Sequence, residues 1–126
     1  LDSNIVLYAF TDDIRFTVAE TLLAQGADLS VQVLNEFTNV ARKKLGFDWS
    51  EIEDALKAIQ VLVRAIHPVD LESHSRAVLL ARRYGFSFYD ALIVASAQIA
   101  QCEVLYSEDF QHGQTIGALT IINPFR

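Results

Sequence analysis

The sequence predicts a three-layer α/β fold with a mainly parallel central sheet. Two observations carry that prediction. Short runs of strand character, Val104-Leu105-Tyr106 and Leu119-Thr120-Ile121-Ile122 among them, alternate with longer stretches of helical period. Most of the helical stretches have a capping residue at the start or a glycine at the end. Strands and helices that alternate along a chain fold in layers, with helices covering a parallel sheet.

The elements follow in order. Residues 4–9 read as a short helix. Residues 12–25 read as a second, with Val18, Leu22 and Leu23 on one side and Gly26 as its stop. Asp28-Leu29-Ser30 is a short extended piece, and 31–45 is helical up to Gly46. Ser50-Glu51-Ile52-Glu53 has the spacing of a capping box, for a helix running to Ile66. His67-Pro68-Val69 reads as a short strand. Asp70 caps a helix over 71–84 that Gly85 ends, and Ser87 caps another over 88–101.

No repeat or linker divides the 126 residues, so 1–126 form one domain. A hydrophobic fraction of 52% supplies a core, and 21% charged residues without low-complexity tracts exclude a disordered chain. No apolar run approaches a membrane span, and no signal-peptide pattern is present. Cys102 stands alone and cannot staple the fold, which fits the reducing cytoplasm. There is no methionine, and Leu1 reads like the end of a buried strand, so a few apolar residues are expected ahead of it.

The net charge of -6 disfavours a nucleic-acid partner, which usually meets a basic face. The bases are clustered, however: Arg42, Lys43 and Lys44 in one group, Arg82 and Arg83 in another. Setting four of the sixteen acids against a divalent cation leaves twelve acids against ten bases, close to neutral.

Four acids stand out by position. Asp2 follows the apolar end of the first strand, and Asp109 lies three residues after Tyr106. In a parallel sheet both emerge at the carboxyl edge, where ligands bind. Each also reads, singly, as a loop acid capping the next helix. Glu36 lies on the border of the stripe formed by Val33, Phe37, Val40 and Ala41. Alone it is an ordinary solvated glutamate. Asp90 is the most informative. Its helix, Phe88-Tyr89-Asp90-Ala91-Leu92-Ile93-Val94-Ala95, is apolar nearly all round and so buried. An uncompensated carboxylate there costs several kcal/mol or takes up a proton. A cap shared with Ser87 is one compensation, and a metal cation is another. Clustered carboxylates repel, a divalent cation relieves them, and oxygen-only ligation suits Mg²⁺ or Mn²⁺. Zinc fits less well, because His67, His74 and His112 lack ligand spacing.

These residues carry a resemblance. Leu1-Asp2-Ser3-Asn4-Ile5-Val6-Leu7-Tyr8-Ala9 resembles the opening motif of PIN-domain nucleases. Ser30 to Phe37, with Glu36, is similar to the helix of their second acid. Phe88 to Ala95 is similar to the third acidic motif, Leu105-Tyr106-Ser107-Glu108-Asp109-Phe110 to the fourth, and Ile122-Asn123-Pro124-Phe125 to the close of bacterial members. The size is that of VapC-like toxins of toxin–antitoxin pairs. The resemblance implies a Mg²⁺ or Mn²⁺ site made by Asp2, Glu36, Asp90 and Asp109, with Glu36 farthest from the metal. It implies Asn4 and Ser107 as polar supports, and an RNA substrate cut to a 5′-phosphate and a 3′-hydroxyl. It also implies a small antitoxin partner that inserts a segment near the acids. Ser3 departs from the common threonine but keeps the hydroxyl.

Arg42, Lys43 and Lys44 lie one to two turns beyond Glu36, placed either to grip an RNA backbone or as a solvated helix end. Phe47 and Trp49 suit an antitoxin groove, a homodimer face or plain core packing. Two other functions remain open. One is a PIN-fold binding module acting through a partner. The other is a Mg²⁺-dependent phosphatase of haloacid-dehalogenase type with Asp2 as nucleophile, although that family wants an aspartate where Asn4 stands.

Overall fold

A computed structural model describes residues 1–126. Six helices and five short strands alternate along the chain. Leu1-Asp2 leads into α1 (Ser3–Tyr8), and residues 9–15 turn before α2 (Phe16–Ala24). This second helix begins four residues later than its periodicity suggested. Asp13 folds its carboxylate back onto the Arg15 backbone and guanidinium, which holds the preceding residues in a turn.

Strand β1 (Asp28–Ser30) runs straight into α3 (Val31–Lys43), and the Ser30 hydroxyl caps that helix by accepting the Val33 N–H. Gly46 at φ 71° closes the turn that follows, as expected for a glycine stop. Helix α4 (Trp49–Leu62) corrects the capping expectation. Asp48, not Ser50, is the cap, and it forms the reciprocal box with Glu51. Asp48 and Ser50 both have an acid three residues on, so the flanking residues decide. With Asp48 as cap, Phe47 and Ile52 stand at the positions of a hydrophobic staple, and both join the core. With Ser50 the same positions would hold Trp49 and Asp54.

The end of α4 is also corrected. The helix stops at Leu62 because Val63 turns extended and the Arg64 N–H bonds the Ala27 carbonyl. That brings β2 (Ala65–His67) alongside β1 in parallel, Asp28 against Ala65 and Ser30 against His67. The strand expected at 67–69 therefore lies two residues earlier. Arg64 and His67 both reach the Asp28 carboxylate. Burial pushes that carboxyl up, but these hydrogen bonds outweigh it and hold it below its usual value.

Helix α5 (Leu71–Tyr84), capped by Asp70 and ended by Gly85, packs on α6 (Phe88–Ile99), which ends two residues earlier than expected. Strand β3 (Val104–Tyr106) pairs in parallel with β5 (Leu119–Ile122), and β4 (Thr115–Ile116) adds an antiparallel edge. The two-residue β4 is too short to show a period in the sequence. The strands form two sheets, β1-β2 and β3-β5-β4. Leu1 and Asp2 lie between them. The Leu1 nitrogen donates to Asp28 O and the Asp2 N–H to Tyr106 O.

Ile5, Val6, Leu23, Leu29, Phe37 and Val94 meet in one core between these layers. No helix is long and apolar enough to cross a membrane. The consequence for function is directional. Asp2 bonds beside the end of β3, so α1 starts where the chain leaves β3 for Ser107. Helix α6 packs against α3 and β1, which brings its first turn toward the same edge.

Candidate active site

The carboxylates of Asp2, Glu36 and Asp109 are joined by short polar links. Asp2 is the hub and is 1% exposed. Its Oδ1 accepts the Ser3 N–H at 2.6 Å, and its Oδ2 accepts the Ser107 hydroxyl at 2.6 Å. The Ser3 hydroxyl donates to Glu36 Oε1 at 2.8 Å. From one turn earlier on α3, Gln32 Nε2 donates to Glu36 Oε2 at 3.0 Å. Asn4 Nδ2 donates to both oxygens of Asp109, at 2.9 and 3.2 Å. The Asp109 N–H in turn donates to Ser107 Oγ at 3.1 Å. Ser107 thus fixes Asp2 with its proton and Asp109 with its lone pair.

Asp90 stands in the first turn of α6, half-buried, with its N–H on Ser87 Oγ at 3.3 Å. The serine cap forms, yet the Asp90 carboxylate does not bond back to the Ser87 backbone. The capping explanation for this acid is therefore half met.

Electrostatics tie Asp90 to the others. Burial, then the Asp2 charge, raises its pKa. Burial raises Glu36, with Asp2 and Asp90 adding to it. Asp109 is driven up to about 6, first by burial and then by Asp2, Asp90 and Glu108. Each of these three acids resists ionisation because of its surroundings, and a cation would reverse that preference.

The residues match a known family. A PIN domain family model matches residues 1–115. The chain belongs to the PIN domain family. No curated protein matches it. Among solved structures, it resembles the VapC20 toxin of Mycobacterium tuberculosis, described as cleaving the sarcin-ricin loop. Identity is 21% over 86% of this chain and 87% of that one, with a TM-score of 0.69. It also resembles a chain of a toxin–antitoxin complex from Klebsiella pneumoniae, at 22% identity over 98% of this chain and 94% of that one, with a TM-score of 0.70. At such identities the likeness is one of fold.

Within this PIN domain, the donor set suits a hard divalent cation by chemistry, since it is made of carboxylate oxygens alone. As the side chains are placed, no three acidic, histidine or cysteine groups stand close enough to share one ion. Asp2 keeps lone pairs beyond those used by Ser3 and Ser107. The fit is thus one of ligand type and charge. Asn4 occupies the position where the phosphatase reading requires an acid, and it donates to Asp109 instead.

The raised acids give the domain a pH dependence. A carboxyl with a higher pKa folded than unfolded weakens the fold once it ionises. For Asp109 that cost is absent below about 4, grows through about 6 and is complete above. The cation-free protein is therefore expected to melt at a higher temperature at pH 5.5 than at pH 7.5. Asp28, held low, loses its contribution only at more acidic pH. Thermal melts across this range in chelator check the sign, and a Tm that falls on acidification to pH 5.5 contradicts it.

The basic residues lie apart from the acids. Arg42 donates to Phe47 O at 3.2 Å and lies over the Trp49 ring at 5.0 Å, while Lys43 and Lys44 are exposed. Phe47 packs into the core, and Trp49 stays 57% exposed. Sequence reasoning missed two supports. Gln32 was legible, one turn before Glu36 on the same face. The other was not. Arg15 pairs with both Asp13 and Glu108, and Tyr8 donates its hydroxyl to Glu108. This steadies the residue next to Asp109 through partners about a hundred positions away. A hollow of about 260 Å³ between the sheets beside Leu1 is mainly apolar, and none of the four acids lines it.

Proposed function

We propose that this PIN domain is an endoribonuclease dependent on Mg²⁺ or Mn²⁺, and the toxin of a toxin–antitoxin pair. The observation that carries the reading is the set of Asp2, Glu36 and Asp109 joined by short polar links, with Asp90 in the field of Asp2. Structural proteins rarely gather four acids whose neighbours raise three of their pKa values.

Asp2, Asp90 and Asp109 would hold the cation, with Glu36 completing the set from farthest out. When bound, such an ion lowers the pKa of water and neutralises charge on a scissile phosphate. The chain's own residues do the rest. Ser107 and Ser3 fix the Asp2 carboxylate, and Asn4 fixes Asp109. Glu36, gripped by Ser3 and Gln32, is aimed to orient a water for in-line attack. The products would be a 5′-phosphate and a 3′-hydroxyl.

The two fold relatives, a toxin that cleaves the sarcin-ricin loop and a toxin–antitoxin complex, support a partner as well as a substrate. An arginine on a small antitoxin reaching these carboxylates would make charge-assisted bonds in place of the cation. The lone thiol of Cys102 fits a cytoplasmic setting.

The deciding experiment incubates RNA with the protein in Mg²⁺ or Mn²⁺, with and without chelator. Cleavage that chelator abolishes is the expected result. RNA left intact under both metals overturns the nuclease reading. Co-purification with a small protein encoded beside it tests the toxin assignment.

A further inference from the structure

Beside Glu36 the surface of α3 opens into a hollow of about 520 Å³, lined by Gln32, Asn35, Glu36, Asn39 and Tyr89. We propose that this hollow is a subsite for one unpaired nucleobase of the RNA, stacked on Tyr89 and read by the Asn35 and Asn39 amides. The proposal rests on the nuclease reading for its substrate class and extends it to a site that, of the four acids, only Glu36 borders.

The lining favours a base over other ligands. Tyr89 follows directly into Asp90 in sequence, yet it is 61% exposed on a helix otherwise buried or half-buried. Its ring meets Phe88 in a T-shaped pair at 5.6 Å, and its exposure leaves surface for stacking. The Asn35 amide is already held. Asn35 donates to the Gln32 side-chain oxygen at 3.4 Å, and Gln32 donates to Glu36. This relay uses the nitrogen of Asn35 and leaves its oxygen free to accept. Asn39, exposed one turn on, offers both a donor and an acceptor, the pair that a base edge presents in complement. A base is also the neutral part of a nucleotide, so it tolerates the Glu36 rim where a phosphate would be repelled.

The phosphates have their own place. A second hollow shares Asn35 and Asn39 and continues along α3 to Arg42, Lys43 and Trp49. These cations stand six and seven residues past Glu36, about 10 Å along the helix. The face therefore runs from acids through amides to cations, which matches a strand with one base inserted and its backbone leaving over the basic end.

Because Tyr89 and Asn39 are exposed, variants there should fold. A short single-stranded RNA is titrated in chelator against the wild type, Tyr89→Ala, Tyr89→Phe and Asn39→Ala, beside the same RNA carrying abasic positions. Tyr89→Ala is expected to weaken binding about ten-fold, with Tyr89→Phe close to wild type. On abasic RNA the difference between wild type and Tyr89→Ala should vanish. Mapping in Mn²⁺ should show that Asn39→Ala relaxes the base preference at one position near the cut. Unchanged affinity and unchanged cleavage sites in Tyr89→Ala and Asn39→Ala overturn the proposal. So does a protein partner that covers Tyr89 while RNA binding ignores it. Failure of the wild type to cleave any RNA would sink the nuclease reading alone, because the binding series reports on the hollow without cleavage.

Discussion

Asp90→Asn is expected to cut metal-dependent RNA cleavage by roughly 10²–10³-fold while raising the melting temperature of the cation-free protein. The two effects come from one cause. The Asp90 carboxylate is half-buried and sits in the field of Asp2, so its charge is unfavourable to the fold. An amide of the same shape removes the charge and keeps the N–H bond to Ser87. For a cation the balance is opposite, since the charge is what binds it. Melts in chelator and in Mg²⁺ separate the two, and Mg²⁺ should raise the Tm of the variant less than that of the wild type. Unchanged cleavage sinks the assigned role. A lower Tm in chelator would mean that the carboxylate serves the fold instead.

This acid was also the most legible in the sequence, and for the same reason. A charge on a helix that is apolar nearly all round contradicts its surroundings, and such contradictions collect at functional sites. Asp2 and Asp109 could be read only through topology, from the expectation that parallel strands release their chains at one edge. Glu36 gave no such signal. Its placement depends on Ser3 and Gln32, and only the Gln32 spacing is local. The Arg15–Glu108 pair was out of reach, because nothing in a turn at 13–15 specifies a partner after β3. The fold shows the same divide. Helices closed by Asp70 and Gly85 kept their bounds, since both ends are written locally. Helix α4 did not, because its end is set just ahead of β1, where the Arg64 N–H finds the Ala27 carbonyl.

Asp2→Ala is expected to abolish cleavage as Asp90→Asn does, but to move stability the other way, by about 2–4 kcal/mol of loss. Asp2 is buried, and its oxygens accept the Ser3 N–H and the Ser107 hydroxyl, both at 2.6 Å. Alanine leaves these donors without an acceptor in a region closed to water, and α1 without its cap. One effect opposes the loss, since removing the Asp2 charge eases Glu36, Asp90 and Asp109. That relief is the smaller term. The three acids it helps are half-buried or exposed, where solvent screens the repulsion, whereas the orphaned donors have nothing to replace their partner. Asp2→Asn should fall between, because its amide keeps one acceptor oxygen for two donors. Urea unfolding in chelator ranks the proteins: Asp90→Asn above wild type, then Asp2→Asn, then Asp2→Ala. If Asp2→Ala proves as stable as wild type, repulsion outweighs the hydrogen bonds, and Asp2 is a ligand that the fold tolerates. In the expected order, Asp2 is the acid on which the cleft is built, and the Ser107 link carries that role to Asp109.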